Sequence, residues 1–113
     1  MRVSREFRFD AAHRLGRHGG PCEALHGHTW RLRVTVEAPV AEDGIAYDFL
    51  RLEEEVRRHV LARLDHSYLN DILASPSAEN VAVWVWEALA HLPLAEIRVW
   101  ETEDCVVTYD GEE

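Results

Sequence analysis

Lysine is absent from this chain of 113 residues, and all twelve of its basic residues are arginines. The chain therefore has no amine side chain for a Schiff base and no general-base lysine, which excludes several covalent mechanisms. Two cysteines, Cys22 and Cys105, are too few for a disulfide framework. No signal peptide or long apolar run precedes the first strand-like residues. We expect a cytoplasmic protein with free thiols and no membrane partner.

Clusters of positive charge are also missing, and the formal net charge is -9 with histidine neutral. Nucleic acid is therefore not an expected partner, because its phosphates are bound by grouped basic side chains. A small anionic substrate remains compatible, since a few local arginines decide that binding. The hydrophobic share of 47% and the length predict one globular domain, residues 1–113, with its own core.

Two alternating stretches near the start predict a β-hairpin. Val3 to His13 and His26 to Glu37 each alternate apolar with polar residues, the pattern of a strand with one buried face. Residues 14–25 between them are rich in glycine and contain a proline, which favours turns. If the hairpin closes, His13 lies near His26 and His28.

The period then changes to that of helices. The predicted elements are an amphipathic helix from about Asp48, its N-cap, to Leu64; a loop over residues 65–71; a helix from about Ser75–Ser77, where either serine is a cap, to Pro93; and strands Ile97–Thr102 and Val106–Tyr109. The element order is two strands, two helices and two strands.

Three histidines form the strongest chemical signal. His26 and His28 are two apart on a strand and so point to the same side, and His13 ends the partner strand on its apolar face. Three imidazoles with no fourth protein ligand match a catalytic zinc site, which keeps one position open. The alternative is three ordinary half-buried side chains in a histidine-rich chain. His59 and His91 fall on predicted helices and are expected to be solvated.

Cys22 lies in the turn beside these histidines. A nearby metal would lower the pKa of its thiol and favour the thiolate, so Cys22 can be a general base. It can equally be a direct metal ligand, or a small buried hydrophobic residue. Cys105, among valines in a strand, is expected in the core.

Two carboxylates complete the candidates. Asp65 can orient His66 for proton transfer, although a capping or surface role is the alternative. Glu101 shares a face with Ile97 and Val99, so it is expected to point inward, where it can accept two parallel N–H bonds from a guanidine-like edge. The alternative is a glutamate that reaches solvent.

Six motifs in chain order resemble the 6-pyruvoyltetrahydropterin synthase family. They are Phe9-Asp10-Ala11-Ala12-His13, Cys22 with three residues before His26-Gly27-His28, Asp48-Phe49, Leu64-Asp65-His66, Ser77-Ala78-Glu79-Asn80 and Trp100-Glu101-Thr102. The three-residue gap after Cys22 is most similar to the bacterial branch that makes 6-carboxytetrahydropterin for queuosine biosynthesis. Trp100 and Ser77 depart from the family pattern, which has Lys often and Thr usually at these positions.

The resemblance implies the tunnelling fold (T-fold), an α+β fold of order ββααββ in which a four-stranded antiparallel sheet carries two helices on one face. It also implies a homo-oligomer, a trimer or a dimer of trimers. Zinc would be held by His13, His26 and His28.

The resemblance further implies the role of each remaining residue. Cys22 would be the proton-abstracting base, Asp65 and His66 a relay pair from a neighbouring subunit, and Glu101 the anchor of the pterin. The implied reaction is zinc-dependent conversion of 7,8-dihydroneopterin triphosphate to 6-carboxy-5,6,7,8-tetrahydropterin, with release of triphosphate and acetaldehyde. Alternatives are a 6-pyruvoyltetrahydropterin synthase, a side-chain aldolase of the same family, or a zinc-binding module without catalysis.

Overall fold

The computed structural model describes residues 1–16 and 24–112. The two strands of the predicted hairpin are the longest strands in it, with 12 residues each. Strand β1 (Arg2–His13) pairs antiparallel with β2 (His26–Glu37) in an unbroken register from Arg2↔Glu37 to His13↔His26. Strand β4 (Leu94–Thr102) pairs with β2, and β5 (Cys105–Tyr109) pairs with β4, both antiparallel. These four strands follow the alternation seen in the sequence.

A fifth strand makes the sheet larger than expected. Ser67–Tyr68 forms β3, which runs parallel to β1 beside Ala11 and Ala12 and gives the order β3-β1-β2-β4-β5. The prediction of a four-stranded, wholly antiparallel sheet was therefore wrong. The backbone amide of His66 bonds the carbonyl of Asp10 at 2.6 Å, which fastens a segment too short to show any strand periodicity.

The helical segments begin where their caps predict. Helix α1 (Phe49–Val56) starts after Asp48, whose carboxylate accepts the amide of Leu50. It continues through a π-helical turn, Arg57–Leu61, into α2 (Ala62–Leu64). A 3-10 turn, Leu69–Asp71, follows β3.

Helix α3 (Ala78–Ala88) is capped by Ser77, which accepts the amide of Asn80. Pro76 thus precedes the cap instead of standing in the first turn.

One face of the sheet packs against these helices. Phe9 and Trp30 stack with ring centroids 5.9 Å apart, and the Trp30 indole donates to the carbonyl of Ala11. The other buried core residues are Phe7, Ala11, Leu32, Val34, Val36, Leu52, Val56, Val60, Leu61, Leu64, Leu69, Ala78, Val81, Ala82, Val85, Leu89, Leu92, Ile97 and Val99. The core ends at His13, which is fully buried, so the histidines stand at the rim of the apolar interior.

Candidate metal centre and active site

Three histidines meet at the end of the hairpin where residues 14–25 connect β1 to β2. The register sets His13 opposite His26 and Ala11 opposite His28, so alternation turns all three imidazoles to one side. Their ring centroids lie 4.4 Å (His13 to His26), 4.7 Å (His26 to His28) and 5.4 Å (His13 to His28) apart. The structure brings together the three residues that the sequence singled out.

Backbone carbonyls fix the orientation of two of these rings. His13 Nδ1 lies 2.7 Å from the carbonyl oxygen of Pro76, and His26 Nδ1 lies 2.7 Å from that of Ala24. A carbonyl only accepts, so each Nδ1 carries the proton and each Nε2 of the neutral ring presents a lone pair. This arrangement is typical of histidines that bind a metal, because the second hydrogen bond sets the ligating nitrogen.

Glu101 joins the histidines from β4. Its Oε1 lies 3.0 Å from His13 Nε2, 3.3 Å from His28 Nε2 and 3.9 Å from His26 Nε2. Glu101 has no pairing partner in β5, because Trp100 pairs with Val106 and Thr102 pairs with Cys105. Such a bulge re-aims a side chain, and here the side chain points inward, as its parity predicted.

The donor set fits a metal cation. The buried Nε2 atoms of His13 and His28 have no hydrogen-bond partner in the described part of the chain. Lone pairs of neutral imidazoles that face a carboxylate oxygen repel it, and a cation between them removes the repulsion. Burial, which outweighs the opposing charge of Glu101, lowers the pKa of His28 and favours its neutral form. His13, His26, His28 and Glu101 can thus hold a metal ion.

The structure describes one of the two cysteines, Cys105. Cys22, the candidate base or ligand, lies outside the described residues. Cys105 is exposed at the start of β5, so the expectation that it belongs to the core was wrong. By alternation Cys105 shares its strand face with Val107 and Tyr109, which pack against the core. Cys105 is exposed because it is the first residue of the strand, next to the turn at residues 103–104.

Asp65 and His66 lie close together at the outer edge of β1. His66 Nδ1 is 3.1 Å from Asp65 Oδ1, which also accepts the amide of Asp10 at 3.0 Å. His66 has a positive φ of 58°, which is uncommon for a residue with a side chain and often marks functional positions. Asp10, Asp65 and His66 form an exposed cluster.

Asp65 and His66 cluster with Asp10 and are not grouped with His13, His26 and His28. Asp10 accepts the hydroxyl of Thr29 across the hairpin. By alternation, the side chains of Asp10 and Thr29 lie on the sheet face opposite Phe9, Ala11 and Trp30. His66 lines a cavity of about 440 Å³ together with Asp10, Ala12 and Gly27, and His28 of the histidine centre lines it as well.

Two polar features of the structure were not predicted from the sequence. Glu55, His59 and His91 form a second group whose candidate ligand atoms all lie within 4.8 Å of one another. The expectation that His59 and His91 are merely solvated was incomplete, since both contact Glu55. The i,i+4 spacing of Glu55 and His59 was the available signal, whereas nothing local in the sequence pointed to His91.

The second feature is a basic cavity of about 220 Å³ on the uncovered face of the sheet. Arg8, Thr29, Arg31 and Trp100 are among its lining residues. The Arg31 guanidinium lies 3.8 Å from the centroid of the Trp100 ring, a close cation–π contact. Trp100, the departure from the family pattern, thus positions an arginine.

Comparison with known proteins covers nearly the whole chain. The family model described as 6-pyruvoyl tetrahydropterin synthase matches residues 2–112. The 6-carboxy-5,6,7,8-tetrahydropterin synthase of Synechocystis is 40% identical over 110 residues, which cover 88% of this chain and 85% of that protein. The dihydroneopterin monophosphate aldolase of Pyrococcus furiosus is 40% identical over 98 residues, 82% of each chain.

A solved structure agrees in fold. The structure of Caenorhabditis elegans 6-pyruvoyl tetrahydropterin synthase superposes with a TM-score of 0.90 at 27% identity, over 99% of this chain and 96% of the other. Across residues 1–16 and 24–112, no helix is long and apolar enough to span a membrane. With a family match from residue 2 to residue 112, the chain belongs to the 6-pyruvoyl tetrahydropterin synthase family.

Proposed function

We propose that this protein is a zinc enzyme that converts 7,8-dihydroneopterin triphosphate and one water molecule to 6-carboxy-5,6,7,8-tetrahydropterin, triphosphate and acetaldehyde, as in queuosine biosynthesis. The observation that carries the proposal is the convergence of three imidazole Nε2 atoms around a carboxylate, with two rings oriented by backbone carbonyls. The relative from Synechocystis, at 40% identity, supports the choice of product.

His13, His26 and His28 would hold the zinc ion. When bound there, Zn²⁺ supplies a Lewis acid that polarises the oxygens of the substrate side chain and stabilises negative charge developing on them. The full burial of His13 keeps water from that side of the centre, which strengthens electrostatic interactions at the site.

Cys22 would remove the proton from the substrate side chain, because it stands four residues before His26 in a segment that joins the two ligand strands. His66, oriented by Asp65, would give and accept the protons that the later steps require. Since this pair clusters with Asp10 and not with the three histidines, it would act at the centre of a neighbouring subunit, as the family resemblance implies. That geometry supports a homo-oligomer in which each site is shared.

Glu101 has two candidate roles, and both use its inward position. It would accept the N–H groups of the pterin's amino-pyrimidine edge when substrate is present. Without substrate, its Oε1 lies where a fourth metal ligand would stand. Glu101→Gln should raise KM for the pterin and leave zinc bound if anchoring is its main role. A loss of zinc in this variant would assign it to the metal instead.

The decisive experiment is incubation of the zinc-loaded protein with 7,8-dihydroneopterin triphosphate, followed by mass identification of the pterin and enzymatic detection of acetaldehyde and triphosphate. The expected product is 6-carboxytetrahydropterin. A 6-pyruvoyl product, or no turnover despite bound zinc, would refute the proposed reaction.

A second candidate function is a side-chain aldolase, favoured by the equal identity to the Pyrococcus relative. Dihydroneopterin monophosphate should be offered in parallel with the triphosphate. Turnover of the monophosphate, with carbon–carbon cleavage and no release of triphosphate from the other substrate, would select this candidate.

The role of Cys22 is tested by Cys22→Ala, with Cys105→Ala as the matched control because Cys105 is exposed at the start of β5. If Cys22 is the base, the variant keeps its zinc and loses turnover by at least ~10²-fold. If Cys22 is a fourth ligand in a closed structural site, zinc affinity falls instead, and the non-catalytic alternative gains support.

A further inference from the structure

A second cluster of metal-ligand type lies on the helical side of the protein and shares no residue with the histidine centre. Glu55 Oε2 lies 2.8 Å from His91 Nε2 and 3.2 Å from His59 Nε2. The two imidazole rings meet edge to face with centroids 4.7 Å apart. Two imidazole nitrogens and a carboxylate oxygen therefore converge on one point.

The backbone that carries these side chains is well anchored. Glu55 stands one turn before His59, and each is followed by a fully buried valine, Val56 and Val60. His91 follows α3 in a turn flanked by the buried Leu89 and Leu92. The cluster thus joins the first helical segment to the end of α3, two regions that are far apart in the sequence.

The arrangement suits a transition metal better than an ion pair. An ion pair needs a protonated imidazole, and here two imidazoles share one carboxylate oxygen. Tetrahedral zinc, with bonds of about 2.0–2.1 Å, separates its ligand atoms by roughly 3.3 Å, close to the spacing of 3.2 Å between His59 and Glu55. Two nitrogens and one oxygen match Zn²⁺, Co²⁺, Ni²⁺ or Cu²⁺, whereas Mg²⁺ and Ca²⁺ prefer oxygen alone.

Solvent can complete the coordination. The side chains of Glu55, His59 and His91 are 24%, 36% and 48% exposed. The outer side of the cluster is therefore open to water, which can fill the remaining positions. An exposed site of three ligands binds more weakly than one of the same ligands in a buried setting, because water competes at every position.

We propose that Glu55, His59 and His91 form a second binding site for a late first-row divalent metal, which clips α1 and the π-helical turn to the segment after α3. The metal binds the native state, in which the three ligands converge, and so it raises the thermal midpoint of unfolding. This role is structural and independent of turnover at the histidine centre.

Zinc titration of metal-free protein, followed by calorimetry and by metal analysis after gel filtration, tests the proposal. The expected result is two zinc ions per chain in the wild type and in Glu54→Gln, whose exposed carboxylate lies on the same helix. His91→Gln and Glu55→Gln should retain one zinc ion per chain, because the zinc affinity of the second site falls at least tenfold relative to the wild type. In His28→Ala the affinity of the tight site should fall about 10²-fold while that of the second site stays unchanged, which separates this proposal from the assignment of the histidine centre.

The thermal midpoint provides a second readout. Zinc added beyond the first equivalent should raise it in the wild type and in Glu54→Gln, and should leave it unchanged in His91→Gln. His91 is 48% exposed, and its recorded contacts are with Glu55 and His59, so this variant should fold normally. A single zinc ion in the wild type, or an undiminished second site in His91→Gln, would overturn the proposal.

Discussion

Replacement of His28 by alanine should weaken zinc binding while leaving the fold intact. His28 is 22% exposed, and its Nε2 has no hydrogen-bond partner among the described residues, so truncation breaks no recorded hydrogen bond at this atom. A four-ligand zinc site contributes about 10–16 kcal/mol, so one ligand is worth roughly 3 kcal/mol. The zinc dissociation constant should therefore rise about 10²-fold.

The rise in the zinc dissociation constant also predicts the effect of His28→Ala on stability. At zinc concentrations that saturate both proteins, a 100-fold weaker site lowers the free energy of unfolding by about 2.7 kcal/mol. For a chain of this length, that corresponds to a fall of roughly 10 °C in the thermal midpoint. In a chelator the two proteins should differ by under about 1 kcal/mol, because His28 is partly exposed and its Nε2 has no hydrogen-bond partner to lose among the described residues.

Competition against a fluorescent zinc chelator measures the first effect, and thermal unfolding with zinc and with EDTA measures the second. His66→Ala is the matched control, since His66 is not grouped with His13, His26 and His28: it should lose turnover and keep its zinc. Native zinc affinity in His28→Ala would refute the assignment of the histidine centre. So would equal losses of stability with and without zinc.

Three further predictions concern the rest of the fold. Gly111→Ala should lower the free energy of unfolding in urea by about 2 kcal/mol, because φ is +95° there and a Cβ would stand 2.7 Å from the Trp86 ring. Asp48→Ala should cost about 1 kcal/mol in the same assay through loss of the α1 N-cap. The hydrogen bond and charge of His91 hold the pKa of Glu55 below its ordinary value of 4.5. In EDTA, the stability that Glu55→Gln loses, under about 1 kcal/mol, should be present above pH 4.5 and vanish as the pH falls through that lowered pKa.

Much of the fold could be predicted because its periodicities are local. The hairpin from β1 to β2, the helix start at Asp48 and the cap at Ser77 each follow from patterns a few residues long. Strand β3 could not be predicted, since two residues show no alternation and their pairing depends on contacts with β1. The exposure of Cys105 was missed for a related reason: an apolar neighbourhood does not reveal where along a strand the contact with the core begins.

The candidate site was predictable where spacing within one strand or hairpin defines it. His26 and His28 are set by alternation, and His13 follows once the hairpin closes. The inward turn of Glu101 follows from parity, but its bulge depends on the register with β5. The Glu55 cluster needed His91 from a distant turn, and long-range packing of this kind leaves no local trace in the sequence.

The hydrogen bonds from His13 to Pro76 and from His26 to Ala24 have a consequence for how the centre is loaded. Both rings are locked by the folded backbone, so their ordering entropy is lost during folding and not during metal capture. An incoming ion meets ligands already in place and needs only to shed water. The metal-free and loaded proteins should therefore share one hairpin conformation, and the centre can be emptied and refilled without unfolding the sheet that builds it.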